Sequence, residues 1–270
     1  MKEKSPAPIQ LEIFDATGKL VRRFASDDQL YKTNPDSVAI TTNWIRDPQS
    51  LSNEPGMHRF VWDLHCALPD GVQRSYFFSA GPLAVPGTYS VKLTANGKTT
   101  TQPLTIKMDP RSKATPEALQ RQFTLASQLS EQLGRVSEAL RNAKSLRQQI
   151  TERKKDAAGK PELWTALDAL NQKMEVAVEP DADDDFEIFG LALPGKEHEP
   201  LPRVQSALLG LLIIEQSADT APTADLAASA GKWSAASNDS LARWKNVLSQ
   251  GLAAVNSQLQ KAALKPLAVK

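Results

Sequence analysis

The sequence predicts a mixed α+β chain: an antiparallel β-sandwich over residues 1–110, with a long loop near 25–55, followed by an antiparallel three- or four-helix bundle over residues 111–270. Three observations carry this expectation. Between Ile9 and Pro110 apolar residues alternate in short runs broken by turn residues, the period of half-buried strands. After Pro110 they recur at helical spacing to the end of the chain. A 41% hydrophobic and 23% charged composition over 270 residues is that of a globular chain long enough for two domains.

In the first half, Ile9, Leu11 and Ile13 alternate with Gln10 and Glu12, a strand with one face buried. Asp15-Ala-Thr-Gly18 is a turn, since Asp bonds backbone amides and Gly accepts a positive φ. Leu20 to Phe24 returns as the second arm of a hairpin. The stretch from Ala25 to Pro55 is polar and proline-punctuated, with Trp44-Ile45 as its apolar anchor, and is expected to be a packing flap. Phe60, Trp62 and Leu64 fall on one face of a further strand. Trp62 is therefore expected in the core, with about 200 Å² to bury, sugar stacking being the sharper alternative. Pro86-Gly87 suits a type II turn, Tyr89, Val91 and Leu93 alternate inward, and Asn96-Gly97 makes a tight hairpin with Thr99 to Met108. Several short antiparallel strands of this kind describe an immunoglobulin-like sandwich.

The second half opens on Thr115-Pro116-Glu117, a capping hydroxyl, a first-turn proline and an early acid. The spacing predicts a helix from Pro116 to about Lys155, stopped by Gly159 and Pro161. Another carries Leu163, Leu167, Leu170 and Met174, a third spans Pro202 to Ala218, and the last begins near Pro222. Its stripe is Leu226, Trp233, Leu241, Trp244, Leu248, Leu252, Val255 and Leu259. Helices with one long apolar face must bury it against each other, which argues for a bundle.

Chemistry-bearing residues are sparse in pattern. A net charge of +1 gives no field to recruit nucleic acid. His58, His65 and His198 are too scattered for a metal site, and no glycine loop of phosphate-cradling type occurs, so no metal or cofactor is expected. Cys66 is the only cysteine, which excludes an intrachain disulfide. The acidic run Asp181, Asp183, Asp184, Asp185 and Glu187 lacks the spacing of a calcium loop and is expected to be a solvated loop docked by Phe186, Ile188 and Phe189. His65 and Cys66, adjacent on a strand, would point to opposite faces. Arg153-Lys154-Lys155 suits a helix C-terminus. No catalytic residue is assigned. Exposed aromatics are the candidates for binding: Trp44, Tyr76, Phe77 and Phe78. No apolar run reaches the length of a membrane span, and no secretory signal is evident, which leaves the compartment open.

Four phrases in order, Gln10 to Phe24, Gly56-Met-His-Arg-Phe-Val-Trp-Asp-Leu64, Pro86-Gly-Thr-Tyr-Ser-Val-Lys-Leu93 and Lys107-Met-Asp-Pro-Arg111, resemble the C-terminal region of large bacterial proteins with bacterial-neuraminidase-type repeats. Such proteins carry labels such as glycosyl hydrolase, sortilin-like or photosystem-assembly-factor-like. The first half also looks like the immunoglobulin-like domain of flagellar hook-cap proteins. The resemblance extends through Asp219-Thr-Ala-Pro-Thr223 and the closing Leu259 to Leu267. It implies an accessory module of an exported β-propeller protein, with the propeller or another protein as partner. These relatives begin with propellers and usually a secretion signal, and neither is recognisable here. The alternatives are a glycan- or protein-binding module, and a fragment of a longer glycoside-hydrolase-like enzyme.

Overall fold

The computed structural model describes residues 2–37, 40–45, 48–72, 81–178 and 194–269. It is a mixed α+β structure. The chain gathers into two compact units, the first made of Met1–Leu68, Gln73–Ser127 and Gln216–Ala221, the second of Pro69–Val72, Gln128–Glu215 and Pro222–Lys270.

The first unit holds one antiparallel sheet in the order β2–β1–β3–β4, from β1 (Gln10–Phe14), β2 (Leu20–Ala25), β3 (Gly87–Ala95) and β4 (Lys98–Ile106). Its two hairpins form where turn chemistry demands. Asp15 Oδ1 accepts the backbone N–H of Thr17 at 2.8 Å and of Lys19 at 3.0 Å, and Gly18 sits at φ 82°. The Thr17 hydroxyl, 2.6 Å away, contributes most to holding the Asp15 carboxyl below its usual range. At the other hairpin Asn96 and Gly97 both stand left-handed, at φ 51° and 70°, as a type I′ turn requires. Pro103 lies on β4, an edge strand, where a missing N–H costs no ladder bond.

Register puts Leu11, Ile13, Phe24, Tyr89, Val91 and Leu104 on one face of the sheet. Ile13 and Tyr89 are buried there with Ala84. The other face is polar: Lys92 pairs with Glu12 at 2.9 Å, and Thr94 bonds Thr99 at 3.1 Å. A sheet with one wet face needs cover on the other only.

Several expectations are corrected here. Residues 57–64 do not form a strand; beyond them only His65 makes an isolated bridge, to Leu83. Leu64 adopts φ 63°, which breaks the pleat, and Trp62 Nε1 reaches forward to donate to His65 O at 2.9 Å. The segment nonetheless covers the apolar face. Phe60 meets Phe24 edge-on with centroids 4.7 Å apart, and Trp62, half-buried, packs against the Ile13–Tyr89 cluster. Thus, among the described residues, irregular chain overlies the sheet where a second sheet was expected. Gly87 stands at φ 159° as the first residue of β3, so Pro86-Gly87 is not a type II turn, which needs about 80° there. Leu93 shares a face with Leu11 but is 41% exposed. The loop after β2 contains two short 3₁₀ turns, Pro35–Ser37 and Thr42–Trp44.

The helical part begins with α1 (Pro116–Asp156), capped by Thr115, whose hydroxyl accepts the Ala118 N–H at 3.2 Å. Its residues up to Ser127 belong to the first unit and the rest to the second. Leu129, Leu133, Val136, Ala143, Leu146 and Ile150 are buried along one stripe, each Leu, Val or Ile side chain worth roughly 1.5–3 kcal/mol out of water. In the second unit follow α2 (Pro161–Val178), α3 (Leu201–Glu215) and α4 (Ala224–Asn246). A π-helical stretch, Val247–Leu252, continues α4 into α5 (Ala253–Lys261). Helix α3 ends three residues before Ala218, and α4 starts after Thr223, its N-cap, close to the expected start near Pro222. Trp233, Trp244, Val255 and Leu259 are the buried members of the last stripe. Gly251 in the π stretch lies so close to α2 that a Cβ there would fall 2.7 Å from Leu170 Cδ1. The tail is stitched down by Gln149 to both polar atoms of Ala268 and by Asn256 to both of Leu267.

Candidate functional site

Of the four aromatic candidates, Trp44 is the one inside the described residues. It ends the second 3₁₀ turn, its N–H bonded to Thr41 O at 3.0 Å, and is 78% exposed. Local backbone geometry therefore presents the indole to solvent. As an apolar anchor of the flap it would have been packed; as a binding candidate it is accessible. Tyr76, Phe77 and Phe78 lie outside the described residues, as does the acidic run from Asp181 to Glu187 with Phe186, Ile188 and Phe189.

A cavity of about 200 Å³ opens within the first unit. Four stretches wall it: Leu64, then Leu83 to Pro86, then Ile106 to Asp109, and the first turns of α1 at Leu119, Gln122, Phe123 and Ala126. Gln216 and Asp219 complete it. The sequence sets the local geometry of each stretch. Left-handed Leu64 turns its carbonyl to accept the Ala84 N–H at 2.7 Å, and Cys66 N–H donates to Pro82 O at 2.8 Å. Gln216 Oε1 accepts the Leu83 N–H at 2.7 Å, and Gln122 Nε2 donates to Ala218 O at 2.7 Å. Asp109 is engaged by Arg111, with Nη2 2.7 Å from one oxygen and Nε 3.0 Å from the other, which holds its carboxyl below the usual range. What remains is a mainly apolar hollow whose polar lining is two amides, Gln122 and Gln216, two acids, Asp109 and Asp219, and Lys107.

Elsewhere the groups that suggest chemistry are committed to structure. His198 Nδ1 lies 3.1 Å from Asp239 Oδ2, and Ser240 is next in sequence, a set of residue types that suits nucleophilic catalysis. The Ser240 hydroxyl, however, is buried and directed at backbone carbonyls, Glu199 O at 2.7 Å and Ala236 O at 2.9 Å. Glu199 Oε1 accepts the N–H groups of Gly195 and Lys196, while its other oxygen stands 3.3 Å from Arg203 Nε as an ion pair without hydrogen-bond alignment. His65 is tied to Asp63, with Nδ1 2.9 Å from its carbonyl oxygen. Burial pushes the Cys66 thiol up to about 11, far from a reactive thiolate. Two members of the basic run are engaged within the chain: Arg153 bonds Lys265 O, and Lys154 pairs with Asp168 and lies 4.6 Å over the Trp164 ring. Glu215 is buried at the end of α3, and loss of solvent raises its carboxyl to about 7.

Among the described residues no group of three His, Cys, Asp or Glu could hold a metal ion, and no helix is long and apolar enough to cross a membrane. The cavity was not foreseen from sequence. Its walls come from segments far apart along the chain, and only Leu119, Phe123 and Ala126 carry a local signal, the start of the α1 stripe. No family model, curated protein or solved structure matches this chain.

Proposed function

We propose that this chain is a non-catalytic accessory module, an immunoglobulin-like β unit joined to a helix bundle, that packs on or spaces a propeller-type protein. One observation carries the reading: several acids and hydroxyls that could do chemistry serve structure instead, Asp15 as a turn cap, Asp109 in an ion pair, Glu199 as acceptor of loop N–H groups and Ser240 as donor to backbone carbonyls. The ordered phrases that resemble the C-terminal region of neuraminidase-repeat proteins point the same way. The test is turnover by the purified chain on a panel of aryl glycosides and peptides. No rate above buffer is expected; hydrolysis abolished by replacing a single Asp or Glu would overturn the proposal.

A second reading, a glycan- or protein-binding module, is favoured by the exposure of Trp44. A glycan array probed with the chain and with Trp44→Ala tests its glycan arm: signal lost in the variant supports sugar stacking, and silence of both discards glycan binding.

A further inference from the structure

We propose that the cavity in the first unit binds one neutral aromatic group of one- or two-ring size. Its volume, about 200 Å³, exceeds that of an apolar cavity of about 150 Å³ that stays dry and admits benzene. The walls favour a ring over a plain aliphatic chain, because Phe123 offers an edge or face and Met108 a thioether, both of which gain from aromatic contact beyond the area they bury. The rim favours a neutral group. Lys107 and Asp219 are of opposite sign, and the Asp109 charge is matched by Arg111. Neither a cation nor an anion would find an excess of counter-charge.

Two further observations concern the mouth. Leu64 and Leu83 keep 37% and 38% of their surface in water, although both are large aliphatic side chains. Both line the cavity, so a ring seated against them would cover part of that apolar surface. Leu64 is also held left-handed at φ 63°, a conformation unfavourable for a residue that carries a side chain. Such strain persists where surrounding bonds over-determine it, and ligand clamps are among its common locations. Here the Ala84 N–H to Leu64 O bond fixes it.

The ring could arrive on a free small molecule or on a protein side chain, and the test separates the two. Methyl spectra of the full chain are titrated with indole and, separately, with N-acetyl-tryptophanamide. Saturable shifts at Leu64, Leu83 and Ala126 are expected with indole. Comparable binding of the blocked amino acid assigns the site to a side chain, and at least tenfold weaker binding assigns it to a free ring. Filling the hollow with Ala126→Met, or charging its mouth with Leu83→Asp, should weaken indole at least tenfold. Should the filled variant not fold, the exposed Leu83→Asp variant decides alone. Absence of saturable shifts up to the solubility of indole, or unchanged affinity in a folded variant, overturns the proposal. Trp44 takes no part in this site, so the outcome is independent of the glycan test.

Discussion

Trp62 and Tyr89 meet edge to face, their ring centroids 5.9 Å apart at 70°, and each ring sends its polar atom to a backbone carbonyl. Trp62 Nε1 donates to His65 O and the Tyr89 hydroxyl to Val85 O. The pair thereby fastens irregular chain at His65 and Val85 to the apolar face of the sheet. Removing the indole with Trp62→Ala should cost roughly 2–4 kcal/mol, and Trp62→Phe, which keeps a ring but loses the N–H, roughly 1 kcal/mol. Denaturant melts of the two variants check the order.

Gly81 marks the tightest backbone approach. A Cβ at this position would lie 2.4 Å from Ala67 O and 3.0 Å from Cys66 O, both main-chain atoms that cannot swing aside. Gly81→Ala should destabilise by roughly 2–4 kcal/mol. Gly231, inside α4 with nothing near its absent side chain, is the contrast: Gly231→Ala should stabilise by about 1 kcal/mol. Thermal unfolding of both separates contact from helix propensity.

The end of α5 carries a Schellman closure built on the wrong residue. Leu264 N–H donates to Leu259 O at 2.9 Å and Ala263 N–H to Gln260 O at 3.0 Å, with Ala263 at φ 57°. Glycine adopts this conformation without the Cβ penalty. Ala263→Gly should therefore raise stability by about 1 kcal/mol, read as a higher denaturation midpoint with unchanged slope.

Glu215 couples stability to pH. Its folded carboxyl titrates near 7 against 4.5 when unfolded, so the folded state binds the proton more tightly. The favourable contribution is complete below 4.5 and disappears as pH rises through 7. Glu215→Gln should therefore match the wild type near pH 4.5 and exceed it at pH 8, by on the order of 2 kcal/mol once partial screening is allowed for. Melting curves at the two pH values give the sign directly.

Trp44→Ala should leave stability within about 0.5 kcal/mol of wild type, because a side chain 78% exposed loses little on removal. A loss several times larger in the same melt would show the indole to be packed.

Much of this molecule was legible in local sequence. Asn96-Gly97 dictated a type I′ hairpin because both positions need positive φ, and Asp15 dictated the first turn through its own carboxylate. Thr115-Pro116-Glu117 set the start of α1, and its apolar stripe set which face is buried. These features depend on residues a few positions apart, so the chain alone determines them. The rest depended on neighbours distant in sequence. Alternation at Phe60, Trp62 and Leu64 resembled a strand, yet no ladder partner exists for it among the described residues, and a left-handed Leu64 turned it into a cover for the sheet. Trp44 looked like an anchor, and only the assembled loop left it in water. The cavity is the clearest case: Leu64, Leu83, Ile106, Phe123 and Gln216 converge through long-range packing, which side-chain periodicity along one strand or helix does not encode.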